Sequence, residues 1–309
     1  MKFYIGVTDN TWFKFLAERE PDEVNFWQPS GTAAFRALRP GELFLFKLHA
    51  PLNFIAGGGF FVKHSIVPLS LAWEAFAEKN GAEDLNTFRD KVIRYKGRNS
   101  RFEPDPTIGC IILSQPFFLD RSEWVPAPED WHPNIVQGKT YGTDDRIGAA
   151  LWSDIQERLS HQVKLDDYQV VAEENARYGN EQVIRPRLGQ GAFRVLVTDA
   201  YQRRCAMTGE RTLPVLESAH IKPYARSGPH SINNGLLLRS DLHKLFDLGY
   251  ITVTGDMLIK VSKRIKEEFK NGRNYYALDG QSLISLPSEP VYRPARDYLD
   301  WHNEKIFLP

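Results

Sequence analysis

The stretch from Leu213 to Asp247 constrains this chain more than any other part of it. It opens with a short apolar run, Leu213-Pro-Val-Leu-Glu-Ser-Ala219, that reads as a strand ending near His220. A connection follows that carries Asn233-Asn234-Gly235, and then the segment His243-Lys-Leu-Phe-Asp247. His243 and Asp247 are four positions apart, so on a helix they share one face and can share a divalent cation. An imidazole at a strand end, an amide in a loop and a His/Asp pair one helical turn apart make a compact metal-and-base site. Such a site suits cutting phosphodiesters. A neutral imidazole beside a metal-bound phosphate can take a proton from attacking water, because its ordinary pKa lies near neutrality.

Taken singly, each of these residues is read more simply as a satisfied histidine or an ordinary helix pair. Their joint order and spacing change that. The series Arg187-Leu-Gly-Gln-Gly-Ala-Phe-Arg194, Tyr201-Gln-Arg-Arg-Cys-Ala-Met-Thr-Gly209, Ala219-His220-Ile-Lys-Pro223, Asn234-Gly-Leu236 and His243-Lys-Leu-Phe-Asp247-Leu-Gly249 resembles an HNH endonuclease domain. The likeness is to the branch at the C-terminus of bacterial restriction-type nucleases, and it spans about the last two-fifths of the chain. It implies a ββα-metal core: two short antiparallel strands, a loop between them, then a helix. It implies His220 as the general base, and Asn234 as the loop residue that orients the base or touches the metal. It implies His243 and Asp247 as helix-borne metal ligands, with His243 thereby part of the catalytic set.

Two departures from the family pattern are visible. Many relatives carry Asp or His just before the base as a further ligand, and here that position is Ala219. Strand alternation puts Glu217 on the same face, so Glu217 is the candidate replacement ligand, with a plain salt bridge as the other use. Many relatives also brace the unit with paired Cys-x-x-Cys knuckles. Here Cys205 is followed by Thr208, and the other cysteine, Cys110, is remote, so one chain cannot build a tetrathiolate zinc site. Mixed nitrogen and oxygen ligands do not select one ion; the resemblance points to Mg or Mn, with Ni, Co and Zn compatible. Arg203, Arg204, Lys222, Arg226, Arg239 and Lys244 are the candidate contacts to DNA phosphates.

A formal net charge of zero excludes a uniformly basic nucleic-acid coat, though local patches remain allowed. Two cysteines provide no disulfide framework, which suits a reducing cytoplasm. The apolar start Lys2-Phe-Tyr-Ile-Gly-Val7 is too short for a signal peptide, and no stretch approaches a membrane span. A cytoplasmic protein without a membrane partner is the expectation.

At 309 residues the chain accommodates two domains. Residues 1–143 alternate strand-like runs, such as Gly41-Glu-Leu-Phe-Leu-Phe-Lys-Leu48, with helical ones, such as Asp9-Asn-Thr-Trp-Phe-Lys-Phe-Leu-Ala17 behind a capping Asp or Asn. Gly57-Gly58-Gly59 inside a strand marks a bulge or a close backbone approach. This pattern, with its Pro40-Gly-Glu-Leu-Phe-Leu-Phe-Lys47 step, resembles the PUA-like superfamily, which includes the EVE, ASCH and SRA-type readers of modified bases. That resemblance implies a β-barrel with helices whose pocket holds a flipped base between aromatic rings. Trp12, Phe26, Trp27, Phe35 and Phe60 are the candidate walls, each equally at home in a core.

The expected protein is therefore α+β: a PUA-like domain over 1–143, a partly helical linker over 144–182 and an HNH domain over 183–309. Its expected function is that of a modification-dependent, type IV-like restriction endonuclease. It would recognise methylated, hydroxymethylated or glucosylated cytosine in double-stranded DNA and restrict foreign DNA such as that of phage. One ββα site cuts one strand, so a homodimer is expected. Two other readings stay open: an HNH nuclease without modification sensing, and a DNA-binding protein whose site has decayed at Ala219.

Overall fold

The computed structural model describes residues 1–97, 103–162 and 188–309. The chain is α+β and divides into two units, Met1–Arg187 and Leu188–Pro309.

In the first unit β1 (Lys2–Thr8), β2 (Glu23–Gln28), β3 (Leu43–Leu48), β4 (Phe54–Pro68), β5 (Thr107–Phe118), β6 (Val125–Pro126) and β7 (Gly138–Gly142) form one mixed sheet. Its order is β2-β5-β4-β3-β1-β7, with β6 on the start of β4. Only the β1–β3 ladder is parallel. Every residue of β3 is buried, which is why that strand is apolar at nearly every position instead of alternating. Leu43 and Leu45 join Phe3, Ile5 and Tyr141 in one core cluster. Phe44, Phe46 and Leu48 point the other way, onto Trp12, Phe13 and Leu16. The latter three lie on α1 (Asn10–Ala17), whose N-terminus is capped by Asp9 Oδ1 accepting from the Thr11 and Trp12 amides at 2.8 Å each.

The helices α2 (Leu69–Phe76) and α3 (Leu85–Lys96) follow β4, and Asp84 caps α3 by accepting from Thr87 N at 2.8 Å. The glycine run is both a close approach and a bulge. A Cβ on Gly58 would lie 2.6 Å from the Phe44 carbonyl oxygen, one on Gly57 would overlap the Phe117 carbonyl oxygen, and the β4–β5 register shifts between Gly58 and Phe60. The helix α4 (Arg146–Gln162) falls where a linker is expected from the polar sequence. Instead Leu151 and Ile155, four positions apart, bury themselves in this unit's core. The rest of that expected linker, residues 163–182, lies outside the described residues.

The second unit begins with α5 (Gln190–Ala200). The hairpin β8 (Leu216–His220) and β9 (Gly235–Arg239) pairs Leu216 with Arg239 and His220 with Gly235, and α6 (Ser240–Asp247) follows directly. This is the expected ββα order. A second hairpin, β10 (Ile251–Val253) and β11 (Ile259–Val261), and the helices α7 (Arg264–Phe269), α8 (Arg273–Tyr276) and α9 (Arg296–Lys305) complete the unit. One core joins Phe193 and Val197 of α5, Leu236, Leu237 and Leu238 of β9, Leu242 and Phe246 of α6, and Leu299 of α9. Among the described residues no helix is long and apolar enough to cross a membrane.

His302 locks α9 to the site-bearing helix. Its ring stacks on Phe246 at 3.8 Å between centroids, with 13° between planes. Its two nitrogens meet Thr252 Oγ1 at 2.8 Å and the Phe246 carbonyl oxygen at 3.1 Å. Burial holds this imidazole down at about 4, so it is neutral in the folded protein near neutral pH. The unfolded chain takes up a proton near the ordinary value of about 6.5, so stability from this group is full above that pH and is lost as pH falls toward 4. Acidification from pH 7 to 5 is therefore expected to destabilise the second unit by about 2 kcal/mol through His302. Urea denaturation at the two pH values checks this. His302→Gln should reduce the acid loss, and an unchanged loss in that variant would contradict the assignment.

Candidate active site

The helix α6 orders the site because its sequence, Ser-Asp-Leu-His-Lys-Leu-Phe-Asp, carries two adjacent stripes. Leu242 and Phe246 are buried, while His243 and Asp247 form the next stripe at the edge of that contact. Arg239 closes the preceding turn by gripping Asp241 through two bonds, Nε to Oδ1 at 2.6 Å and Nη2 to Oδ2 at 2.8 Å.

The imidazole of His243 lies between two carboxylates. Nδ1 is 2.6 Å from Glu217 Oε2 and Nε2 is 3.3 Å from Asp247 Oδ2. With the Nδ1 hydrogen donated to Glu217, Nε2 turns a lone pair toward an anionic oxygen, an arrangement that favours a cation between them. At 3.3 Å apart the two atoms are near enough to be donors to one ion. Partial burial raises the Asp247 carboxyl above its usual range, and Glu217 adds repulsion against the lowering pull of His243. A bound divalent cation would relieve that repulsion. Among the described residues no three His, Cys, Asp or Glu side chains converge in metal-holding geometry. The residues therefore fit an ion held by two protein donors, with other positions left to water and substrate oxygens. Glu217, expected as a ligand from its strand face, meets the opposite nitrogen of the histidine ring.

His220 ends β8 with its ring flat against Phe193, at 3.8 Å between centroids and 11° between planes. Burial, then the facing His230 and His243, hold its imidazole down at about 4. The ring is therefore neutral near neutral pH, the state a base must start from. Ala219 beside it is fully buried in the core. Asn234 is fully buried and makes three bonds, all to backbone. Its Oδ1 accepts from Lys222 N, and its Nδ2 donates to the carbonyl oxygens of Lys222 and Pro229, each at 2.9 Å. That uses both amide hydrogens to staple the β8–β9 connection. Asn234 thus supports the loop around His220, and its side-chain bonds do not go to the His220 ring or to the α6 donors.

These features lie in a segment that comparison identifies. Residues 205–254 match the family described as HNH endonuclease. The match covers β8, β9 and α6, gives the second unit an HNH endonuclease domain and supports a nuclease acting on DNA. No curated protein matches the chain. Among solved structures, the ASCH protein of Zymomonas mobilis matches at 9% identity over 49% of this chain and 94% of its own, with a TM-score of 0.32. A mutant of that same protein matches at 10% identity over 50% of this chain and 98% of its own, also at 0.32. The modification-dependent restriction endonuclease TagI matches at 15% identity over 92% of this chain and 75% of its own, with a TM-score of 0.28.

The candidate phosphate contacts have different surroundings. Lys222 and Arg226 stand in the β8–β9 connection and Lys244 is exposed on α6, so all three border the HNH hairpin and helix. Lys222 Nζ also lies 5.7 Å from the centroid of the Trp301 ring. Arg203 is 3.9 Å from Asp199, Arg204 has its Nε buried, and Arg239 is neutralised by Asp241.

The candidate base-pocket aromatics divide between the unit's two clusters, with Trp12, Phe26, Trp27 and Phe35 at one and Phe60 at the other. Trp12 is 3% exposed and lies edge-on to Phe26 and Phe46 within the core. Phe35 packs on Tyr4, Phe44 and Phe61 at the border of the same core. Trp27 borders the same cluster, packs on Phe88 and Tyr95, and donates to the Asn80 carbonyl oxygen at 3.0 Å. Phe60 packs against the second cluster, with Phe3 and Leu43. Trp12 is buried, whereas Phe26, Trp27, Phe35 and Phe60 keep partial exposure at the borders of the two clusters. The first unit does have a charged concavity of about 760 Å³, lined by Lys2, Arg36, Arg39, Glu42 and Asp145 among others. Sequence reasoning missed that concavity, and it missed His230, whose Nδ1 is 2.9 Å from His220 Nε2.

Asn234→Ala is expected to destabilise the second unit by about 2 kcal/mol, because a fully buried side-chain amide gives up its bonds to three part-buried backbone groups at once. Chemical denaturation of the full chain measures this. A loss below about 1 kcal/mol would remove the stapling role.

Proposed function

We propose that the chain is a metal-dependent DNA endonuclease whose second unit hydrolyses phosphodiesters and whose first unit directs it to modified cytosine. The observation that carries the nuclease reading is the His243–Asp247 donor pair on α6, tied through Glu217 to the same strand, β8, that His220 ends. When bound there, a divalent cation, with Mg or Mn first in expectation and Ni, Co or Zn compatible, supplies Lewis acidity to a phosphate oxygen and to the departing oxygen. His243 and Asp247 would hold it, with Glu217 orienting the His243 ring through Nδ1. His220 takes the proton from water as the water attacks phosphorus in line. Asn234 keeps the loop beside His220 in place. Lys222, Arg226 and Lys244 bring the duplex backbone to the site.

The modification-sensing part rests on a separate first unit with a concavity of nucleotide size, in which Lys2, Arg36 and Arg39 could hold the phosphates flanking a base. One site cuts one strand, so a double-strand break calls for two copies of the chain. Restriction of foreign modified DNA is the role this combination serves.

Two comparisons test the proposal. On matched plasmids carrying cytosine, 5-methylcytosine, 5-hydroxymethylcytosine or glucosylated cytosine, cleavage with Mg or Mn should depend on the modification. Equal cutting of all four would remove the sensing role and leave an unselective HNH nuclease. His220→Ala should lower the cleavage rate by at least about 100-fold. If wild type and variant are equally inactive across Mg, Mn, Ni, Co and Zn, the decayed-site reading replaces the enzyme.

A further inference from the structure

The bond between His220 and His230 has a chemical consequence that the proposed reaction depends on. Nε2 of His220 and Nδ1 of His230 are 2.9 Å apart, and both rings are clamped. Phe193 stacks on His220, and Tyr224 stacks on His230 at 4.5 Å between centroids and 11° between planes. The residue before His230 is pinned as well, since the Pro229 carbonyl oxygen accepts from buried Asn234. The two imidazoles therefore meet in a prepared geometry.

A neutral imidazole carries one N–H and one lone pair. Across one bond, one ring donates and the other accepts. If His230 Nδ1 carried the shared hydrogen, His220 would accept at Nε2 and keep its own hydrogen on Nδ1. Neither nitrogen of His220 would then be available to water. If His220 donates from Nε2, its Nδ1 lone pair is open, and His230 keeps its hydrogen on Nε2. Only the second arrangement lets His220 act as a base.

We propose that His230 is a positioning residue that fixes His220 as the Nε2–H tautomer by accepting that hydrogen at Nδ1, so that Nδ1 of His220 is the atom that deprotonates water. The inference rests on the reading of His220 as the base. In the step itself, the water O–H bond breaks, the proton goes to His220 Nδ1, and the oxygen forms its bond to phosphorus. The resulting imidazolium already has its second N–H held by His230, a charge-assisted bond stronger than the one before it. His230 thus does for this base what an orienting partner does for a catalytic histidine elsewhere, by holding tautomer and ring angle together.

The test uses the full-length chain labelled with ¹⁵N-histidine, with the His220 signals assigned by their loss in His220→Gln. Long-range ¹H–¹⁵N spectra should show His220 protonated at Nε2 in the wild type. His230→Asn places an acceptor oxygen near the position of Nδ1 and should preserve that tautomer. His230→Leu removes the acceptor and should give a tautomer mixture. In cleavage assays with Mn, His230→Leu should lower kcat by about 100-fold with KM within about two-fold, while His230→Asn stays within about ten-fold of wild type. A wild-type His220 protonated at Nδ1 overturns the proposal, as does a His230→Leu variant with wild-type kcat. The spectra decide the tautomer even if His230→Leu fails to fold or the chain cuts no DNA. His220→Ala with undiminished kcat would instead overturn the base assignment on which the inference stands.

Discussion

The site depends on one imidazole held between two carboxylates. Glu217 from β8 and Asp247 from α6 take the two nitrogens of His243, and neither contact suffices alone. Without Glu217 the ring could rotate or present the wrong nitrogen. Without Asp247 the exposed lone pair would have no second donor beside it. Partial burial is the first cause of the raised Asp247 carboxyl, and repulsion from Glu217 across the ring adds to it. A fold that keeps such an arrangement is poised for positive charge, and a scissile phosphate needs a positive charge near it.

That arrangement exists because the hydrophobic core fixes the angle between strand and helix. Leu242 and Phe246 sink into the core, and the next stripe of α6 then faces the edge of β8 where Glu217 stands. His302 holds Phe246 from behind by stacking on its ring and bonding to its carbonyl oxygen. Asn234 sets the loop on the other flank. The polar site is thus carried by contacts that have no chemical role in the reaction, and the packing residues matter to function through geometry.

The second unit is legible where sequence periodicity coincides with chemistry. The helical spacing of His243 and Asp247 and the place of His220 after an apolar run are readable from the residues, and the resemblance to the HNH pattern is what joins them into one site. Asn234 stands out as part of the motif, but its direction into the loop backbone depends on the path of residues 221–234, which have no period to read. His230 lies in that same irregular stretch, with only the neighbouring Gly228-Pro229 to hint at a fixed turn. In the first unit, aromatic residues carry no label that separates core from pocket. Trp12, Phe26 and Phe35 suit a core or a pocket wall equally in the sequence, and β3, buried on both faces, draws large side chains such as Trp12 against one of them. Partial helicity over 144–182 is legible, but the docking of α4 is masked by its polar composition, because two buried residues, Leu151 and Ile155, are enough to seat one face.

The central claim is that His243 Nε2 and Asp247 Oδ2 share one divalent ion. Anomalous diffraction from crystals of the full chain soaked in Mn²⁺ tests it most directly. The account predicts a manganese peak about 2.1 Å from both atoms, with Glu217 still bonded to Nδ1. A peak bound elsewhere in the chain, or none between these two side chains at saturating Mn²⁺, would contradict it.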